Sequence, residues 1–190
     1  MTMTPNSAAE QTSRTRSHEA AHRELKPLPT MLSAFKPTIY IQVSPERLTV
    51  RNAKTGETIS ELPEVAIAQG AKPRIVGVGA EARSRQSLSV EVVNPFAHPR
   101  SLVSDFTVGE QLLKAFLRRL RTNSIFAPAP RVVLHPQGDP AGGFTQVEIR
   151  AFHEMALGAG ASEAVVWQGR SLTDQELLAR DFPSGGQRLS

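Results

Sequence analysis

The chain has 190 residues, 39% of them apolar, with a net charge of +4 and no cysteine. That content can bury one ordinary core, so a single domain with tails is expected, and disulfides and thiolate-bound metals are excluded. There is no apolar run of about 18 residues and no signal-peptide h-region in the opening residues, so the expected location is cytoplasmic.

Residues 1–30 are polar, mixed in charge and end in a proline-bearing stretch, a composition that predicts disorder, and the disordered tail is expected to reach residue 34. A short apolar element follows, in which Met31, Leu32 and Phe35 could give only marginal membrane contact. Thr38 to Val43 (TIYIQV) and Leu48 to Arg51 are rich in β-branched residues and flank Ser44-Pro45-Glu46-Arg47, which reads as a hairpin. Thr58 to Ala68 reads as a strand interrupted at Pro63, Arg74 to Val78 as a further strand, and Ala80 to Gln86 as a short helix. A longer helix is predicted from Val108 to Arg121, with Thr107 as N-cap and Glu110 completing a capping box. Its apolar face is Val108, Leu112, Leu113, Phe116, Leu117 and Leu120, and its opposite face carries Lys114, Arg118, Arg119 and Arg121. Such a basic face near a helix C-terminus is ordinarily a solvated one, and no aromatic residue is interleaved to stack on bases. No nucleic-acid partner is expected.

The region from Arg131 to Gln168 organises the rest. Val132-Val133-Leu134 and Ala164-Val165-Val166-Trp167 are apolar runs around a helical pattern, which predicts a parallel strand pair joined by a right-handed crossover. Thr145 and Glu148 form a capping box, and Val147, Ala151, Phe152, Met155, Ala156 and Ala159 define the buried face. Gly158 and Gly160 supply the stop. Beyond Trp167, Ser171 or Thr173 can cap a short helix through Ala179. The domain should span 35–182, with 183–190 a flexible, frayed tail.

Few residues suggest chemistry. His18 and His22 have i,i+4 spacing but lie in the tail with no accompanying carboxylates, so no metal site is expected. Gly77, Gly79 and Ala82 formally match GxGxxA, yet the strand before them does not open a βαβ unit and no acidic residue ends a second strand at the required distance. Asp139 and Glu148 are not a persuasive catalytic pair, because the first sits in a Gly-Pro loop and the second serves the cap.

These blocks also resemble a family. PRVVL followed by TQVEIRAFHEMALGAGASEAVVW is similar to the strand-helix-strand of MreB, the bacterial actin, with its TxVERRA and GAGAREV-like ends. VSDFTVGEQLLKAFLRRLRTNSIFAPAPRVVL resembles the preceding IADFxVTEKML segment of that family, and VVNPF its AIRPM segment. The likeness extends from Phe35 to Trp167. It implies an α/β, actin-like (ribonuclease H-like) subdomain, a mixed sheet flanked by helices, equivalent to the first half of that fold.

The resemblance also implies a nucleotide site, and here the sequence departs from it. The family's first hairpin carries DxGT, whose carboxylate organises magnesium and whose small residues admit backbone amides to the phosphates. Ungapped alignment places Tyr40 at the Asp, Gln42 at the Gly and Val43 at the Thr. Each change removes a function: no carboxylate, no room, no hydroxyl. Glu148 matches the family residue that positions the attacking water, and Thr145 opens the same helix. The vestigial site is therefore Tyr40, Gln42, Val43, Thr145 and Glu148, with no catalytic residue and no cofactor expected. The loop after Leu134 is longer than its counterpart, and the family's second half is not in this sequence, so an apolar surface where that half would pack is expected.

The function expected from this reading is a non-catalytic binding module of the MreB-type cell-shape cytoskeleton, cytoplasmic or peripheral at the inner membrane. Its partner would be a protein or a second copy. The alternative is a divergent ATPase that completes its site with another chain.

Overall fold

The computed structural model describes residues 36–98, 101–120, 128–138 and 143–190. The expectations for the tail, for Met31, Leu32 and Phe35, and for Arg121 fall outside these residues. β1 (Thr38–Val43) and β2 (Leu48–Asn52) form the predicted hairpin, and β3 (Thr58–Glu61) adds antiparallel to β2. Pro63 lies between β3 and β4 (Val65–Ala68), and there the chain changes sheets. β4 pairs antiparallel with β5 (Arg74–Val78) and β6 (Val90–Val93), and the short α1 (Ala80–Ser84) lies between those two strands in sequence.

α2 (Phe106–Leu120) returns the chain to β7 (Arg131–Pro136), which pairs parallel with β1. α3 (Gln146–Gly158) then leads to β8 (Glu163–Gln168), parallel to β7, as the crossover reading predicts. α4 (Asp174–Ala179) is capped by Thr173 and is followed by β9 (Gln187–Arg188). The main sheet has the order β3-β2-β1-β7-β8-β9, and the small sheet β5-β4-β6.

The two faces of the main sheet are covered differently. Ile39, Ile41, Val43, Val132, Leu134 and Val166 pack under α2 and α3 in the larger core. Gly109 permits the close approach of those helices, because a Cβ there would stand 2.8 Å from the Met155 sulfur. The alternate residues Tyr40, Val133, Val165 and Trp167 face Leu172, Leu177 and Phe182, so the segment after β8 closes the second face.

Several expectations are corrected. Val147 is 79% exposed, whereas Ile149, left off the predicted stripe, is buried. The stripe is set by the sheet, which sits under Phe152, Met155 and Ala156, and Val147 is turned to solvent. α2 begins at Phe106, and Asp105 rather than Thr107 caps it, its carboxylate accepting from the Val108 amide at 3.0 Å. Residues 183–190 are not a frayed end. Their β9 pairs with β8, the Leu189 amide donates to the Val166 carbonyl at 2.8 Å, and Phe182 stacks on Trp167 with centroids 5.4 Å apart.

Gly79 has a packing role that a dinucleotide fingerprint does not require. At φ 62° it brings the backbone against the Glu61 carboxylate, which accepts from the Ala80 amide at 2.9 Å and from Arg119 at 2.5 and 3.1 Å. Arg119 hydrogen bonds first, then the Ala80 amide, outweigh burial and hold the Glu61 carboxyl below the usual range. One carboxylate thus ties the main sheet, α2 and the start of α1 together. Any Cβ at Gly79 would collide with it.

Candidate functional site

Strand alternation decides what the vestigial residues can do. On β1, Tyr40 and Gln42 point to the α4 face and Val43 to the helix-covered face, since successive side chains leave a strand on opposite sides. Tyr40 is 1% exposed. Its hydroxyl lies 2.5 Å from Nδ1 of His135, two residues beyond its register partner Val133 on neighbouring β7, and it accepts from the Leu172 amide at 3.2 Å.

Burial raises the Tyr40 pKa and lowers that of His135, so both groups are neutral at pH 7. The Tyr40 hydroxyl and His135 Nδ1 hydrogen-bond to one another, and the Gly169 backbone lies against the same imidazole. The Leu172 amide, the Tyr40 hydroxyl and the His135 ring are thereby linked in one buried chain. Arg51 lies over the Tyr40 ring, 5.4 Å from its centroid, donates to the Leu172 carbonyl at 3.0 Å and pairs with Asp174 at 3.0 Å.

Gln42 is likewise engaged, with Nε2 donating to Ser171 Oγ at 3.0 Å. Val43 is fully buried, and its carbonyl accepts from the Gln137 amide at 2.7 Å. The turn after β1 has no amide left for a phosphate. The Ser44 N–H donates to the Arg47 carbonyl, Pro45 has no N–H, and the Glu46 and Arg47 amides both donate to Ser44 Oγ at 3.2 and 3.0 Å. Asn94 occupies the remaining Pro45 carbonyl at 2.7 Å. Sequence reasoning missed His135, Leu172 and the self-satisfied turn, though Pro45 was a readable signal for the last.

Glu148 and Thr145 do come together, as each other's cap. The carboxylate accepts from the Thr145 amide at 2.9 Å and hydroxyl at 2.8 Å. Burial pushes the Glu148 carboxyl up, but hydrogen bonds from Thr145, Ser101 and the Leu102 amide outweigh it, and the pKa lies below the usual value. The structure therefore places Tyr40 and Gln42 under the α4 segment, Val43 in the opposite core, and Thr145 with Glu148 at the α3 N-terminus. Among the described residues no cluster of His, Asp and Glu is arranged to hold a metal ion. Likewise, no helix there is long and apolar enough to cross a membrane.

A second feature lies on the outer side of α3. Phe106, Gln146, Val147, Arg150, Ala151 and Glu154 line an open groove of about 440 Å³. Phe106 and Val147, 40% and 79% exposed, are the large apolar side chains in it. Of the three cations on α2, Arg119 is bound to Glu61, and Arg121 of the predicted basic face lies outside the described residues, so the face described is smaller than the sequence suggests.

The profile of the family described as MreB/Mbl protein matches residues 40–172. Cell shape-determining protein MreB of Pasteurella multocida is 36% identical over 114 residues, and that of Haemophilus influenzae 35% over 116. The Escherichia coli protein of the same name is 34% identical over 114 residues. These matches cover 57 or 58% of this chain and 31% of the relatives, so the chain spans about a third of their length. Among solved structures, MreB5 of Spiroplasma citri bound to ADP is similar with a TM-score of 0.56 at 17% identity, over 70% of this chain and 38% of that one. A non-polymerising MamK mutant bound to AMPPNP is similar with a TM-score of 0.55 at 15% identity, over 69% of this chain and 40% of that one. At such identities the structures speak to the fold, which is actin-like. With the family profile spanning most of the chain, from Tyr40 through the helix capped by Thr145 to Leu172, the protein belongs to the MreB/Mbl family.

Proposed function

We propose that this chain is a non-catalytic binding module of the MreB-type cell-shape cytoskeleton. The observation that supports this reading is the filled site: Tyr40, which aligns by resemblance with the family carboxylate, is sealed beneath Leu172, and every amide of the adjoining turn is satisfied within the chain. Phosphoryl transfer depends on positioned electrostatic groups around the phosphates and their magnesium, and these residues supply none. The shared-site ATPase is the competing reading, with Glu148 as the retained residue. It is disfavoured because that carboxylate is already spent on Thr145, Ser101 and Leu102. The proposed location is the cytoplasm, with weak peripheral membrane contact through Met31, Leu32 and Phe35.

Mg-ATP titration by calorimetry and thermal melting tests this directly, with no saturable heat and no shift expected. A nucleotide at 100 times its dissociation constant would stabilise the fold by about 2.7 kcal/mol, a readily measured change. Saturable binding lost in Glu148→Ala would overturn the reading in favour of the ATPase.

Docking is proposed on the outer face of α3, with a second copy as the occupant. Arg150 has no ion-pair partner among the described residues, and Glu154 stands one helical turn away on the same groove. Two copies with antiparallel α3 helices would set each Arg150 against the partner's Glu154 and cover Val147, the self-complementarity that a two-fold interface demands. Sedimentation should therefore show concentration-dependent association that Arg150→Glu abolishes and Arg150→Glu with Glu154→Arg restores. A monomer at all concentrations, or a double reversal no better than the single, would refute this interface.

A further inference from the structure

The small sheet has an edge that the binding-module reading does not use. Among the described residues β5 pairs only with β4, so its other side presents backbone donors and acceptors that no described strand takes up. Ile75 and Val76 on this strand are 41% and 37% exposed. From Lys72 to Arg85 the chain carries four cations, Lys72, Arg74, Arg83 and Arg85, against one carboxylate, Glu81. Arg83 is held in a two-pronged pair with Glu64. The other three cations are exposed and have no ion-pair partner among the described residues. Arg85 folds back over the strand, its Cγ 3.1 Å from where a Gly77 Cβ would stand, so cations flank the apolar pair from both ends.

We propose that the free edge of β5 takes an acidic, β-prone peptide segment of a partner protein as a fourth strand of the small sheet. Main-chain hydrogen bonds would supply the pairing, and the exposed Ile75 and Val76 would supply apolar contact. Lys72, Arg74 and Arg85 would select carboxylates and speed encounter. A second copy is disfavoured as occupant, because two β5 edges would bring the same cations face to face. The register shift opposite Ala66 and Ile67 twists the strand further from flat self-pairing. Five residues give an edge of about 17 Å, enough for a peptide of five or six residues.

The test is an NMR titration of the 15N-labelled full chain with a capped six-residue peptide alternating Glu and Val, taken to millimolar concentration. The amide signals of Arg74 to Val78 should shift saturably. Affinity should fall about tenfold or more in Arg74→Glu with Arg85→Glu, both exposed positions where the fold tolerates change. A peptide with Pro in place of Val keeps the charge but cannot join the ladder, and it should bind about tenfold more weakly. Absence of saturable shifts on β5, equal binding of the proline peptide, or undiminished binding by the double variant would overturn the proposal. So would phosphatidylserine vesicles that bind the same edge and that the peptide cannot displace, which would assign it to a lipid surface.

Discussion

Tyr40→Asp, which restores the family's carboxylate, is expected to destabilise the domain by more than about 3 kcal/mol and to confer no Mg-ATP binding. The side chain it removes is among the largest fully buried ones in the protein, so a cavity opens between Val133, Trp167 and Leu172. The carboxylate it adds is too short to reach the positions of the phenol oxygen, leaving His135 Nδ1 and the Leu172 amide unpartnered. Tyr40→Phe separates the two effects: it keeps the volume and loses only the hydroxyl, for an expected cost of about 1 to 3 kcal/mol. Urea denaturation followed by circular dichroism measures both. An aspartate variant as stable as the parent and further stabilised by Mg-ATP would show that the site is dormant rather than replaced.

This site shows where sequence reading succeeds and where it stops. The loss of carboxylate, room and hydroxyl at Tyr40, Gln42 and Val43 was visible in residue identity alone. What fills the gap was not, because the closing contacts join residues far apart in sequence, as Tyr40 to Leu172 and Gln42 to Ser171 do. The segment beyond Pro183 is another case, since its contacts are with β8 and Trp167. Its Gly and Ser content predicts fraying, but Gly186 is there because only a hydrogen fits against the Trp167 ring. Local signals fared better. The capping box at Thr145 is present as hydrogen bonds and Thr173 caps α4, although Asp105 takes the place of Thr107 on α2, and the apolar runs of β7 and β8 pair in parallel as the crossover reading predicts. The error at Val147 came from fitting a helical stripe without knowing where the sheet lies. The residue that best marks the outer face of α3 was thereby assigned to its core.

Phe152→Ala should cost about 3 to 5 kcal/mol, a large share of the 5 to 15 kcal/mol typical of native domains. Phe152 is fully buried, with Phe144 meeting its ring edge-on at 88° and a centroid distance of 5.8 Å. It lies in the core that α2 and α3 share with the sheet, where Gly109 already brings the helices close, so the surroundings have little freedom to collapse into the space. Val147→Ala, five residues earlier on the same helix, should change stability by no more than about 0.5 kcal/mol because its side chain faces solvent. The pair separates folding from docking: the first variant should lower the melting temperature, and the second should leave it unchanged while weakening association through the outer face of α3. If Phe152→Ala melts like the parent, the two faces of α3 have been assigned the wrong way round, and the proposed interface fails with them.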